Sequence, residues 1–315
     1  MHLMNSRVVA LVRQVPKTFS RVSVHQKEIY EICALPSARS LELWLFRRKT
    51  AIKSDEAAHT PIDYALATAQ HAKYVESLSQ LVDTVEVIPG DNQYPDCPFV
   101  EDTVVYARGT AVTLQLGHPT RRGETKAVRE ALESRRTLGC VRRAEFEDPE
   151  AFCDGGDVLF TGRHMFVGLS ERTNEAGVAA LRKAFGPSLP VLPVQISGAL
   201  HLKSLVTVLR PGVLVYAKNE AGLNAVASMA SQVGEKAYTS VGVPDQTSAN
   251  VVCVAHEGRW RGTLVQGGRC PESLSLIRRC FSDDEQTRVL EVEYSEMIKP
   301  DAALTCCSVL LGGQP

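Results

Sequence analysis

The chain has 315 residues, 44% apolar and 23% charged, with 35 Lys and Arg against 36 Asp and Glu for a net charge of -1. These are the totals of an ordinary soluble globular protein, and the near-neutral balance gives no bulk electrostatic case for nucleic acid or an anionic membrane as a partner. No apolar run approaches the roughly 20 residues that cross a bilayer, and "MHLMNSRVVALVRQVPK" lacks the apolar stretch of a signal peptide, so a cytoplasmic location is expected.

In chain order, "SRVVALVRQ" reads as a strand with no partner beside it. Residues 25–58 fit no regular element, although "LELWLFRRK" within them has an apolar face flanked by charge; loops of this length are usually lids or inserts. "PIDYALATAQHAKYVESLSQLV" has helical periodicity and "TVEVIP" reads as a strand. From residue 99 a unit recurs. "FVEDTVVYARGTAVTLQL" is two strands about an Arg-Gly turn, followed by the amphipathic helix "TRRGETKAVREALESRR" and a strand near "GCVRRAEF". "GGDVLFTGRHMFVGLS", "RTNEAGVAALRKAFG" and "SLPVLPVQ" repeat hairpin, helix and strand. So do "HLKSLVTVLRPGVLVYA" with "NEAGLNAVASMASQV", and "ANVVCVAHEGRWRGTLVQ" with "CPESLSLIRRCF" and "VLEVEYS". Hairpins start near residues 99, 156, 202, 249 and 304, a loose repeat of about 46 to 57 residues.

The last hairpin, "LTCCSVLL", has no second strand, and the first strand has no hairpin. Joining them completes a fifth module. The expected fold is a five-bladed α/β propeller of strand-strand-helix-strand units, one catalytic domain over residues 1–315 with an insertion at 25–58. In such a ring the inner-strand starts converge on the axis, where a site forms. They would bring together Asp96, Glu101, Asp102, Asp154, Asp157, His201 and Cys306, with Arg121 and Arg172 on following elements. Inward-facing carboxylates are costly unless they meet a cation, and a planar guanidinium with five donors suits them. The two arginines could grip a carboxylate. A ligand with both ends is arginine-like, and a thiol and an imidazole beside its guanidinium carbon suggest nucleophilic attack with proton transfer.

At these residues the chain resembles the dimethylarginine dimethylaminohydrolases of the guanidine-modifying superfamily. "PDCPFVED", "DGGDVLFTGRHMFVGLSERTN", "HLKS" and "LTCCSVLL" match their signature segments in the same order, within a likeness running from about residue 60 to 311. The resemblance implies a five-bladed fold, Cys306 as nucleophile, His201 as general acid/base and Asp154 as the acidic third member. It further implies Asp96, Glu101 and Asp102 as substrate carboxylates, Arg121 and Arg172 as substrate arginines, and Pro300 as a backbone contact. The implied reaction is hydrolysis of mono- and asymmetrically dimethylated arginine to citrulline and an amine through a covalent thiouronium, without metal or organic cofactor, by a monomer or homodimer. The sibling reading is an arginine deiminase. From another class comes a non-catalytic relative acting as a binding or regulatory protein.

The nine cysteines lack CxxC or Cys/His ligand spacing, which argues for reduced thiols rather than disulfides or a zinc site. Cys306 and Cys307 read as part of a buried strand, whose alternation turns only one of them to the axis. Cys307 is therefore packing, as are Cys33, Cys97, Cys140, Cys153, Cys253, Cys270 and Cys280. His71 and His164 read as surface or satisfied residues, and Asp157 as either a hairpin or a substrate group.

Overall fold

A computed structural model describes residues 7–21, 61–134 and 142–312. The 25–58 insertion, with Cys33, and Cys140 lie outside the described residues. Strand β1 (Val9–Arg13) leads, beyond the insertion, to helix α1 (Tyr64–Ser79) and β2 (Thr84–Ile88). Four units follow: β3 (Val104–Ala107), β4 (Thr110–Thr113), α2 (Thr125–Ser134) and β5 (Arg142–Glu145); then β6 (Val158–Phe160), β7 (Met165–Leu169), α3 (Glu175–Phe185) and β8 (Val191–Gln195). The third comprises β9 (Val206–Arg210), β10 (Val213–Ala217), α4 (Glu220–Val233) and β11 (Thr239–Val243). The fourth has β12 (Val252–His256), β13 (Arg259–Gln266), the short helices α5 (Pro271–Arg278) and α6 (Asp283–Gln286), and β14 (Val289–Val292). Helix α7 (Ser295–Ile298) precedes the last strand, β15 (Val309–Leu311).

The strands form five three-stranded sheets of one pattern. In each, the middle strand runs antiparallel to the first and parallel to the third. A parallel pair needs a crossover, and the helix between the middle and outer strands supplies it. The fifth sheet joins the two ends of the chain: β1 pairs antiparallel with β15, Leu11 opposite Val309, and parallel with β2. The ring of five modules expected from the repeat is the observed architecture.

Local sequence explains the connections. Arg108-Gly109 and Glu257-Gly258 turn their hairpins with φ of 47° and 76°, and 50° and 74°, the paired positive φ of a type I′ turn. Asp63, Asn174 and Asn219 cap helices α1, α3 and α4 by accepting from the backbone N–H three residues on. Hydrophobic clusters fill the spaces between blades, and all five first strands line an axial cavity of about 110 Å³.

One expectation is corrected. Leu304–Cys307 is not strand but a 3-10 turn, and β15 begins only at Val309. The same holds at Val100–Thr103, Gly155–Asp157, Leu202–Ser204 and Gln246–Ala249, so every first strand is entered through such a turn. The neighbouring chain reaches the Val100–Thr103 turn only at its end, where Leu114 N–H donates to the Thr103 carbonyl, and local bonds serve the backbone of the turns. Asp157 N–H donates to the Asp154 carbonyl, Ser204 to His201, and Cys306 to Ala303.

Ring closure makes a stability claim. Leu11 is fully buried between the closing strands, so L11A is expected to cost about 2–5 kcal/mol in denaturant unfolding. L223A, on the exposed face of α4, should change stability by less than about 0.5 kcal/mol. Equal effects at the two positions would contradict the closure described.

Candidate active site

The 3-10 turns carry the side chains of interest. Asp154 lies at the head of the Gly155–Asp157 turn, where its Oδ2 meets His201 Nε2 at 3.2 Å and its Oδ1 accepts from Gly117 N–H at 2.9 Å. Both residues are buried. The two glycines between Asp154 and Asp157 do not make a hairpin turn; they permit close approach. A Cβ on Gly155 would sit 2.0 Å from the Glu101 carbonyl oxygen, and one on Gly156 would sit 2.5 Å from His201 Nδ1. The imidazole is thus seated on a bare backbone that no other residue would provide.

Asp102 completes the group. One ligand-type atom each from Asp102, Asp154 and His201 lies within 4.8 Å of the others. Asp102 Oδ1 accepts from Gly156 N–H at 2.9 Å and Oδ2 pairs with Arg121 Nη1 at 2.8 Å. Burial would lower the His201 pKa, but Asp102 and the hydrogen bond to Asp154 outweigh it and raise it to about 9. His201 is therefore an imidazolium at neutral pH. In return, the Asp102 carboxyl is held below its usual range, with His201 and Arg121 overcoming its burial.

Glu101 points to the other side of the axis. Its Oε1 lies 2.5 Å from Lys203 Nζ, and its Oε2 accepts from Thr305 Oγ1 at 2.8 Å. Asn250 ties the far end: its Nδ2 donates to Thr305 Oγ1 and to the Lys203 carbonyl, and its Oδ1 accepts from Thr305 N–H. Burial is the main force raising the Glu101 pKa, and Lys203 opposes it. Glu101, Lys203 and Thr305 also border the axial cavity, which none of Cys306, His201 and Asp154 lines.

Cys306 follows Thr305 directly and is half-buried, whereas Cys307 is completely buried against the core that holds Tyr74 and Tyr294. Cys306 Sγ accepts from Ala303 N–H at 3.4 Å. Burial first, then the Glu101 and Asp102 charges, push its thiol pKa well above the ordinary value. Burial and the Glu101 and Asp102 charges thus favour the neutral thiol at Cys306.

The remaining expected residues are less centrally placed. Arg121 is largely buried, with Nε and Nη2 on Glu124, Nη1 on Asp102, and Nη2 also on the Phe99 carbonyl. Asp96 is half-buried, and its charge bears on Arg121 and Glu124. Arg172 is half-buried, its backbone packed on Gly117, whose Cβ would lie 2.5 Å from the Arg172 carbonyl oxygen. Pro300 is buried between α7 and the Cys306 turn. Lys203, Asn250, Thr305 and Glu124 were not singled out from sequence, although "HLKS", "ANVV", "LTCC" and "RRGE" contain them. For Lys203, Asn250 and Thr305 their position at module starts was the available signal; Glu124, just ahead of the Thr125–Ser134 helix, had none.

A family model for eukaryotic N,N dimethylarginine dimethylhydrolases matches residues 46–205. The chain is 35% identical over 252 residues to the dimethylarginine dimethylaminohydrolase of Streptomyces coelicolor, covering 79% of this chain and 88% of that one. It is 28% identical over 250 residues to the Pseudomonas aeruginosa dimethylarginine dimethylaminohydrolase, covering 78% and 89%. The structure of a cysteine-to-serine variant of the latter in complex with citrulline superposes with a TM-score of 0.68 at 22% identity, covering 96% and 98% of the two chains, which shows a common fold. The chain belongs to the dimethylarginine dimethylaminohydrolase family, whose members are hydrolases of carbon–nitrogen bonds.

The Lys203–Glu101 pair gives a direct test. K203M strands a buried carboxylate and is expected to cost about 3–5 kcal/mol in denaturant unfolding, part of which E101Q restores in the double variant. Removing the ammonium raises the folded-state pKa of Glu101 further above its unfolded value. Such a group loses stability as pH rises, so the K203M deficit should be larger at about pH 8 than at about pH 5.

Proposed function

We propose that this member of the family hydrolyses Nω-monomethyl- and asymmetric dimethylarginine to citrulline and methylamine or dimethylamine, with Cys306 as nucleophile. The observation that carries this reading is the half-buried thiol that feels the Glu101 and Asp102 charges, with a histidine held protonated by Asp102 and by its bond to Asp154. A guanidinium entering next to these carboxylates supplies the missing cation. It offsets the charges that hold the thiol neutral, so the Cys306 proton leaves as substrate binds.

The thiolate attacks the guanidinium carbon and forms a C–S bond, giving a tetrahedral adduct. That adduct collapses with cleavage of the C–N bond to the methylated nitrogen, and His201 in its protonated form donates the proton that the departing amine requires. A thiouronium on Cys306 remains, its positive charge facing Asp102 and Glu101. His201, now neutral, removes a proton from water, the hydroxide adds to the same carbon, and the second collapse breaks the C–S bond. Citrulline leaves and Cys306 returns as thiolate. Arg121 and Arg172 are the candidates for the substrate carboxylate, Asp96 for its amine end, and Pro300 for a carbonyl contact. In Arg121 this role competes with the bonds to Asp102 and Glu124, so Arg172 carries more of it.

The test is citrulline release from monomethylarginine, asymmetric dimethylarginine and arginine, followed against time. Product from the methylated substrates supports the proposal. Product from arginine alone would make the chain a deiminase, and none from any of them would sink the hydrolase reading. C306S should abolish turnover, and mass spectrometry of quenched wild-type enzyme should find the adduct on the peptide of residues 301–311. Because leaving-group protonation needs the imidazolium, kcat should fall as pH rises through about 9.

A further inference from the structure

Among the described residues at the axis, Asp157 is a carboxylate with no ion pair and no place in the reaction above, although the His201 charge bears on it. It is wholly buried, and a bare carboxylate there would be expensive. Three donors satisfy it: Leu202 N–H reaches Oδ1 at 2.9 Å, and the Ser170 and Thr173 hydroxyls reach Oδ2 at 2.6 and 2.7 Å. Each donor leads on to a different site residue. Leu202 follows His201, so the first bond anchors the main chain just beyond the imidazole. Ser170 Oγ accepts from Arg172 N–H at 2.9 Å, and Thr173 Oγ1 accepts from Asp154 N–H at 3.1 Å. Both hydroxyls are oriented by the carboxylate, because each gives its only proton to Oδ2 and so presents lone pairs to the backbone. Gly168 belongs to the same construction: a Cβ there would stand 2.7 Å from Asp157 Oδ1 and 2.9 Å from Leu202 Cβ.

We propose that Asp157 is the positioning residue of this site, a single buried carboxylate whose three hydrogen bonds fix His201, Asp154 and Arg172 in one mutual register. It touches no substrate. Its separate arms bear on separate functions: the Ser170 arm holds a residue assigned to substrate binding, while the Leu202 and Thr173 arms hold the proton-transfer pair. The assignment of those functions rests on the hydrolase reading above; the hydrogen-bonded hub does not.

The experiment compares wild type with D157N, S170A and T173V by steady-state kinetics on methylated arginine, thermal melting, and NMR of the His201 imidazole at fixed pH. In D157N an amide nitrogen faces both hydroxyls and reverses their donor direction. Its kcat/KM is expected to drop by about 100-fold, the scale of a misplacement near 1 Å. Each single-arm variant removes one hydroxyl with its bond to Asp157 and its bond from a backbone N–H, a loss on the order of tenfold or somewhat more. S170A should express this mainly in KM and T173V mainly in kcat. The His201 resonances should shift in D157N and T173V and stay put in S170A. Losses that track melting temperature with no KM-against-kcat division would overturn the proposal and leave Asp157 as structural glue. Should wild type turn over no arginine substrate, the hydrolase reading falls, and the His201 spectra alone decide the hub: resonances indifferent to D157N would overturn it.

Discussion

Carboxylates cannot be gathered in a protein interior without an answer to their charge, and this molecule is organised around that constraint. Glu101, Asp102, Asp154 and Asp157 are all buried near one axis, yet each is matched differently. Lys203 answers Glu101, Arg121 answers Asp102, His201 answers Asp154, and three neutral donors answer Asp157. The matching is complete enough for the fold to stand. It is incomplete in one place, beside Cys306, whose thiol still feels Glu101 and Asp102. On the proposed hydrolase reading, that local shortage of positive charge is where a cationic substrate is received.

The five 3-10 turns are how the fold delivers these groups. A strand arriving at a crowded axis has no ladder partner, so its entry residues close on themselves, and the side chains of the turn are released from sheet alternation. Cys306 and Cys307 are still divided, one toward the site and the other into the core, but the rotation of a tight helical turn divides them rather than the pleat. Glu101 and Asp102, adjacent in the chain, separate the same way to Lys203 and Arg121.

Much of this was legible in the sequence. The module count, the closure of the ring through the first and last strands, and the Arg-Gly and Glu-Gly turns follow from apolar patterning and turn chemistry. The entry turns do not, because "LTCCSV" and "VEDTVV" carry the same apolar and β-branched residues that a strand would; only the convergence of five chains decides against it. The role of the glycines in "DGGD" is hidden for a related reason. Asp-Gly usually signals a hairpin, whereas here the glycines clear space for the Glu101 carbonyl and the His201 ring. Likewise the Lys203–Glu101–Thr305–Asn250 network joins residues up to 204 positions apart, and no local pattern announces such a partnership. The candidate side chains could be gathered from the module starts, but their separate roles came only through motif resemblance, since nothing in composition distinguishes Asp154 from Asp157.

The closing sheet bears on how the protein is made. Strand β1 precedes β15, the strand that covers its free edge, by the four other blades of the ring, with Leu11 waiting for Val309. An all-apolar "VAL" edge stands open to pairing with any other nascent chain until those blades have been made. Until it is covered, the turn that holds Cys306 has no blade to belong to. That interval is the aggregation-exposed stage of folding, and the closing of the ring and the seating of Cys306 come together as one non-local event.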